Sequence, residues 1–325
     1  MGTFLTTSKM SPALAARVEA AVTGRPAGRG KLSPRVTALL RVGAVAAVIA
    51  FAWSIVRARR TSIDELESDR RTLLAQIDEH ASKVTPEDLS MPAQIEAWLG
   101  QHSGPYEGDL VADSVRDKDA LAAVLHRPMV YVRGSLGGFA STRGIAEMGP
   151  STFRDAFVLC LIDPPEKRAE KPLKDKARAA LTGGDRVKAA AHVERLHAAL
   201  AGVPFLSPAY KERVRDAEMK SELVRMNAEL KLAPLADAAR AMKARLLLAV
   251  MDEPKEDFGP TEIDGACKHH ARVMLVDLDG DKVLLRQRKL LDPAWISADV
   301  RTDYASGINS CELALEVREA IVAPR

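Results

Sequence analysis

The stretch TEIDGACKHH, residues 261–270, gathers Glu262, Asp264, Cys267, His269 and His270. Each is a metal ligand by type. Neighbouring residues of a strand point to opposite faces, so His269 and His270 do not readily share one ion. A zinc site also needs a second cluster at defined spacing, and the chain offers none. The stretch reads as a polar loop entering a strand, and no metal is expected.

The other chemistry-bearing runs fall short in similar ways. Counted from Asp277, DLDGDK would need glycine sixth and glutamate twelfth to be a helix–loop–helix calcium loop. Lys282 and Arg288 stand there. RGSLGG (133–138) could cradle an anion with its amides, but it lacks the Lys-Ser/Thr of a phosphate loop and the spacing of a dinucleotide fingerprint. Ser135 is not in the G-x-S-x-G context of a nucleophile elbow. No cofactor site is expected. What remains for catalysis is a site assembled from distant residues, with Arg133, Ser135, Asp163 and His269 as its members.

Aromatic residues make up only 4% of the chain, too few for a stacking surface. Charge points elsewhere. Residues 1–60 hold ten Lys/Arg against Glu19 alone, and residues 61–325 hold 37 against 43 acids. The bulk of the chain therefore lacks the basic footprint of a nucleic-acid binder. The basic excess surrounds the apolar run RVGAVAAVIAFAWSIVRARR (41–60) and suits anionic headgroups.

That run is expected to span a membrane. A bilayer core of about 30 Å needs about 20 helical residues. Ser33 as cap and Pro34 at the first helical position start a helix that gives Val36 to Val56, with Arg41 near one end and Trp53 near the other. A cleaved signal would begin with a short basic segment, whereas 41 residues precede the uncharged stretch 42–56. Lys/Arg counts beside the span are even: Arg25, Arg29, Lys31, Arg35 and Arg41 before it, Arg57, Arg59, Arg60, Arg70 and Arg71 after it. A short basic tail inside and a large periplasmic domain outside is the preferred orientation. A cytoplasmic domain is the alternative.

The expected organisation is a basic disordered tail (1–35), a transmembrane helix (36–56), a helical stalk (57–84), a linker with a short helix (85–114) and a globular domain (115–325). Ile63, Leu66, Leu73 and Ile77 make a short coiled-coil-like seam, which could offer a homodimer contact. The globular domain is expected to be α+β, with a small mixed or antiparallel sheet covered by helices. PMVYVRG (128–134), FVLCLID (157–163), HARVMLVDL (270–278) and DKVLLRQRK (281–289) read as strands, the last two joined in a C-terminal hairpin through Asp279-Gly280. RLLLAVMDE (245–253) reads as a fifth. Helices are expected at KPLKDKARAALTGG, over 185–202, as one long element over 207–232, after Pro234 and at the C-terminal end.

Three cysteines at wide spacing make no disulfide framework. Cys160 reads as a small core residue, and a Cys267–Cys311 bridge is the pairing considered. Together these features describe a single-pass, membrane-anchored protein, suited to a bacterial envelope. It touches lipid through residues 36–56 and acts as a non-enzymatic module for a protein partner. The alternative is a membrane-anchored enzyme using the four residues named above.

Overall fold

The computed structural model describes residues 34–148, 156–182, 190–254 and 267–322. The chain divides into two compact units, Met1–Glu65 and Leu66–Arg325. Of the expected tail 1–35, residues 1–33 lie outside the described residues, and Pro34 and Arg35 belong to a helix.

A continuous helix, α1 (Pro34–Ala81), begins at the proline the sequence marks. In the first unit Val45, Val48, Ile49, Phe51, Trp53, Ile55 and Val56 of α1 are all exposed. Arg57 lies over the Trp53 ring, 5.6 Å from its centroid. Among the described residues no helix is long and apolar enough to cross a membrane. Of the expected span Val36–Val56, the side chains of residues 36–42 and 44 lie outside the described set.

The second unit is a mixed α+β structure. Its strands are β1 (Leu110–Val111), β2 (Met129–Ser135), β3 (Val193–Arg195), β4 (Leu246–Asp252), β5 (His269–Asp277) and β6 (Lys282–Leu291). They form one six-stranded sheet in the order β1-β6-β5-β4-β2-β3. β2 pairs in parallel with β3 and β4, and the remaining pairs are antiparallel. Every residue of β4 is buried, as a central strand covered on both faces requires.

One sheet face carries Met129, Tyr131, Leu246, Leu248, Val250, Val273 and Leu275. It packs under α3 (Lys118–Leu125), α5 (Phe157–Ile162), α6 (Glu170–Thr182) and α11 (Ala298–Val322). The other face carries Val130, Val132, Leu247, Ala249, Met274 and Val276, and packs under α2 (Met91–His102), α4 (Thr142–Glu147) and the start of α7 (Leu196–Leu206). A third cluster joins Leu73 and Ile77 of α1 to α8 (Pro208–Asp216), α9 (Lys220–Leu232) and α10 (Leu235–Ala241). The stalk seam is thus filled from within the chain at these two positions.

Several local expectations need correction. FVLCLI is a helix, not a strand. A short apolar run is ambiguous by pattern, and burial of all but its last residue under α11 lets it be apolar on every side. Residues 193–195 form an edge strand inside the expected 185–202 helix, and the expected cap at Asp185 lies outside the described residues. The long charged element is two helices. The extended backbone at Ala217 and Met219 lets both turn apolar faces to the third cluster, and the Ala217 carbonyl accepts from Arg70 at 2.6 Å. The hairpin is present, but its loop has four residues, 278–281. Asp281, not Gly280, takes the left-handed φ of 47°, and Asp277 Oδ1 accepts from the amides of Asp279 and Gly280.

The cysteine pairing also differs. Cys160 of α5 and Cys311 of α11 form a disulfide with Cα atoms 5.1 Å apart, and Cys267 is left out of it. Both bonded cysteines are fully buried. Packing α5 under α11 brings together two residues 151 positions apart, which no spacing rule could pair.

Candidate functional site

Alternation along the strands puts four polar residues at one end of an otherwise apolar sheet face. Arg133 follows Met129 and Tyr131 at period two, and Asp252 follows Leu246, Leu248 and Val250. Ser135 and Asp252 are register partners. His269 precedes Ala271, the β5 partner of Asp252, by two residues. The site therefore lies at the carboxyl ends of the parallel strands β2 and β4, where open α/β sheets commonly place ligand sites.

Asp252 is the hub. Arg133 donates Nε and one terminal nitrogen to its two carboxylate oxygens, each at 2.9 Å. His269 Nε2 lies 2.9 Å from Asp252 Oδ1. The other terminal nitrogen of Arg133 donates to Ser310 Oγ of α11. Arg133, Asp252, His269 and Ser310 are all buried, Asp252 and Ser310 completely. Burial pushes the Asp252 carboxyl up, but the Arg133 guanidinium and the His269 hydrogen bond outweigh it and hold it below the usual range.

The ring of His269 is engaged at both nitrogens, since Nδ1 lies 2.8 Å from the Cys267 carbonyl oxygen. A carbonyl and a carboxylate only accept here. With both ring nitrogens facing oxygens of the chain, His269 would have to give up one of these contacts before it could take a substrate proton. The cluster is built to hold charge in the core.

Of the four residues the sequence brought forward, the fold joins Arg133 and His269 through Asp252. Ser135 shares their face, but its hydroxyl makes no hydrogen bond among the described residues. Asp163 pairs with Lys176 on the surface and has no contact with the cluster among the described residues. Sequence reasoning missed Asp252 and Ser310. Asp252 had a signal, a carboxylate ending an apolar strand. Ser310 had none, because its place depends on how α11 crosses the sheet.

The next carboxylate, Glu253, gathers Arg272 and Arg288 from the hairpin. Burial raises its pKa, but the bonds from Arg288 and Arg272 prevail and lower it. Of the ligand set in 261–270, Glu262 and Asp264 lie outside the described residues. His269 is buried against Asp252, while His270 is half-buried. Among the described residues no group of three His, Cys, Asp or Glu could hold a metal ion. Neither of the two described cavities is lined by the Arg133 cluster. No protein-family model, curated protein or solved structure matches the chain.

Proposed function

We propose that the chain is a single-pass membrane protein whose Leu66–Arg325 unit works outside the cytoplasm as a non-enzymatic module for a protein partner. The observation that carries the anchoring is the bare apolar surface of α1 from Val45 to Val56, with Arg57 stacked on Trp53 at its end. Such a surface costs about 25 cal/mol per Å² in water. Lipid tails around Val36–Val56 remove that cost, and indole and guanidinium groups sit well among headgroups.

Redox chemistry supports the outer side of the membrane. A buried Cys160–Cys311 disulfide fits an oxidising compartment such as the periplasm better than a reducing cytosol. The even arginine counts favour neither side. The module reading is supported by the cluster at Asp252, where both His269 nitrogens are already engaged.

Three measurements test the proposal. The full chain should sediment with membranes after cell lysis and stay there in high salt. An alkaline phosphatase fused after Arg325, active only after export, should be active. An inactive but well-expressed fusion would reverse the orientation, and recovery of the chain in the supernatant would remove the anchor. Crosslinking in cells, followed by pull-down of the full chain, should recover a defined protein partner. Recovery of none would remove the module.

A further inference from the structure

We infer that the groove between the end of α1 and α9 receives a lysine side chain of a partner protein, a reading that builds on the interaction-module proposal. Asp69, Thr72 and Leu73 of α1 and Leu223, Val224 and Asn227 of α9 line a cavity of about 160 Å³. That is several times the roughly 30 Å³ share of one water. The positions follow helical spacing on both sides, so regular elements hold the groove.

Its walls are mixed, three apolar residues facing three polar ones. Leu73 and Leu223 are buried, and Val224 is 59% exposed at the rim. Its polar atoms ask for a donor. Asp69 makes no hydrogen bond or ion pair among the described residues. Asn227 Oδ1 also has no donor among the described residues, but it is sealed from solvent and out of reach of a groove occupant. The Thr72 hydroxyl already donates to the Ser68 carbonyl and offers only lone pairs. The nearest cation on α1, Arg70, is turned to Glu67 and the Ala217 carbonyl. By contrast, the buried carboxylates Asp252 and Glu253 each have an arginine.

An occupant matching these surfaces carries methylenes for the leucines and a positive N–H donor group for the oxygens. A lysine side chain has this form, an apolar stem with a charged head. An anionic group would meet Asp69 and be repelled.

The test uses the full chain in nanodiscs of neutral phosphatidylcholine. The probes are acetyl-Ala-Lys-Ala-amide and the same peptide with norleucine for lysine. Saturation-transfer NMR should show contact at the lysine methylenes, with affinity at least tenfold above that of the norleucine peptide. Asp69→Asn should weaken binding at least fivefold. Equal signals from the two peptides, no signal at millimolar concentration, or binding unchanged in Asp69→Asn would each overturn the inference. If crosslinking still recovers a partner while the lysine probe stays silent, this groove is ruled out and the module reading stands.

Discussion

At the scale of single residues, the buried charges matter most. Arg133, Asp252 and His269 would each be costly alone in the core, and together they satisfy one another. Removing the hub's charge leaves the buried Arg133 guanidinium without its anion. Asp252→Asn is therefore expected to cost about 3–5 kcal/mol, read as a lower urea midpoint of the full chain in detergent. Ser135→Ala, which breaks no hydrogen bond, should stay within about 0.5 kcal/mol of the wild type. Equal losses in the two variants would contradict the hub assignment. Asp252 was legible as an acid at a strand end. Its partners were not, because residues 119 and 17 positions away meet it only through strand pairing.

At the scale of elements, α5 and α11 are pinned by Cys160–Cys311, and the residue before Cys311 is the Ser310 that accepts from Arg133. Losing the bond should cost about 2–5 kcal/mol. The check is urea unfolding of the full chain with and without reductant. Alkylation should mark one thiol before reduction and three after it. A second element-level test lies at Gly202 of α7. A Cβ there would sit 2.7 Å from the Ala238 Cβ and 2.8 Å from the Pro234 carbonyl oxygen. The glycine allows α7 and α10 to approach closely, so Gly202→Ala should overpack the contact and cost about 1–3 kcal/mol. An unchanged urea midpoint would show that α10 can move aside freely.

For the whole molecule, pH acts through the carboxylates. In Asp252, Glu253 and Asp277 burial pushes the pKa up, but arginine partners outweigh it and bring each below its ordinary value. A carboxylate with a depressed folded pKa contributes stability in full above its unfolded value of about 4. That contribution is lost as pH falls through the folded pKa. Glu316 has the opposite sign. Burial raises its pKa, so its contribution fades as pH rises through the folded value. Glu170 and Asp292 are depressed as well, and burial holds the His102 and His197 rings below their ordinary value, so the urea midpoint should start to fall below about pH 6.5 and drop further below about pH 4. A midpoint that rises on acidification would refute the ion-pair account.

The sequence by itself determined what depends on near neighbours. Pro34 opens α1, Ser207-Pro208 opens α8, the alternation of 270–278 and 281–289 makes a hairpin, and the class is α+β. Each rests on backbone geometry or side-chain period within a few residues. The tertiary structure decided what depends on burial and distant contact. FVLCLI is a helix, and its burial under α11 lets it be apolar all round. Ile95 and Leu99, in a segment the sequence suggested as linker, are fully buried. Cys160 found Cys311, and Arg133 found Asp252, because packing brings together residues more than a hundred positions apart. No local pattern encodes that meeting, since the free energy that selects it belongs to the assembled core.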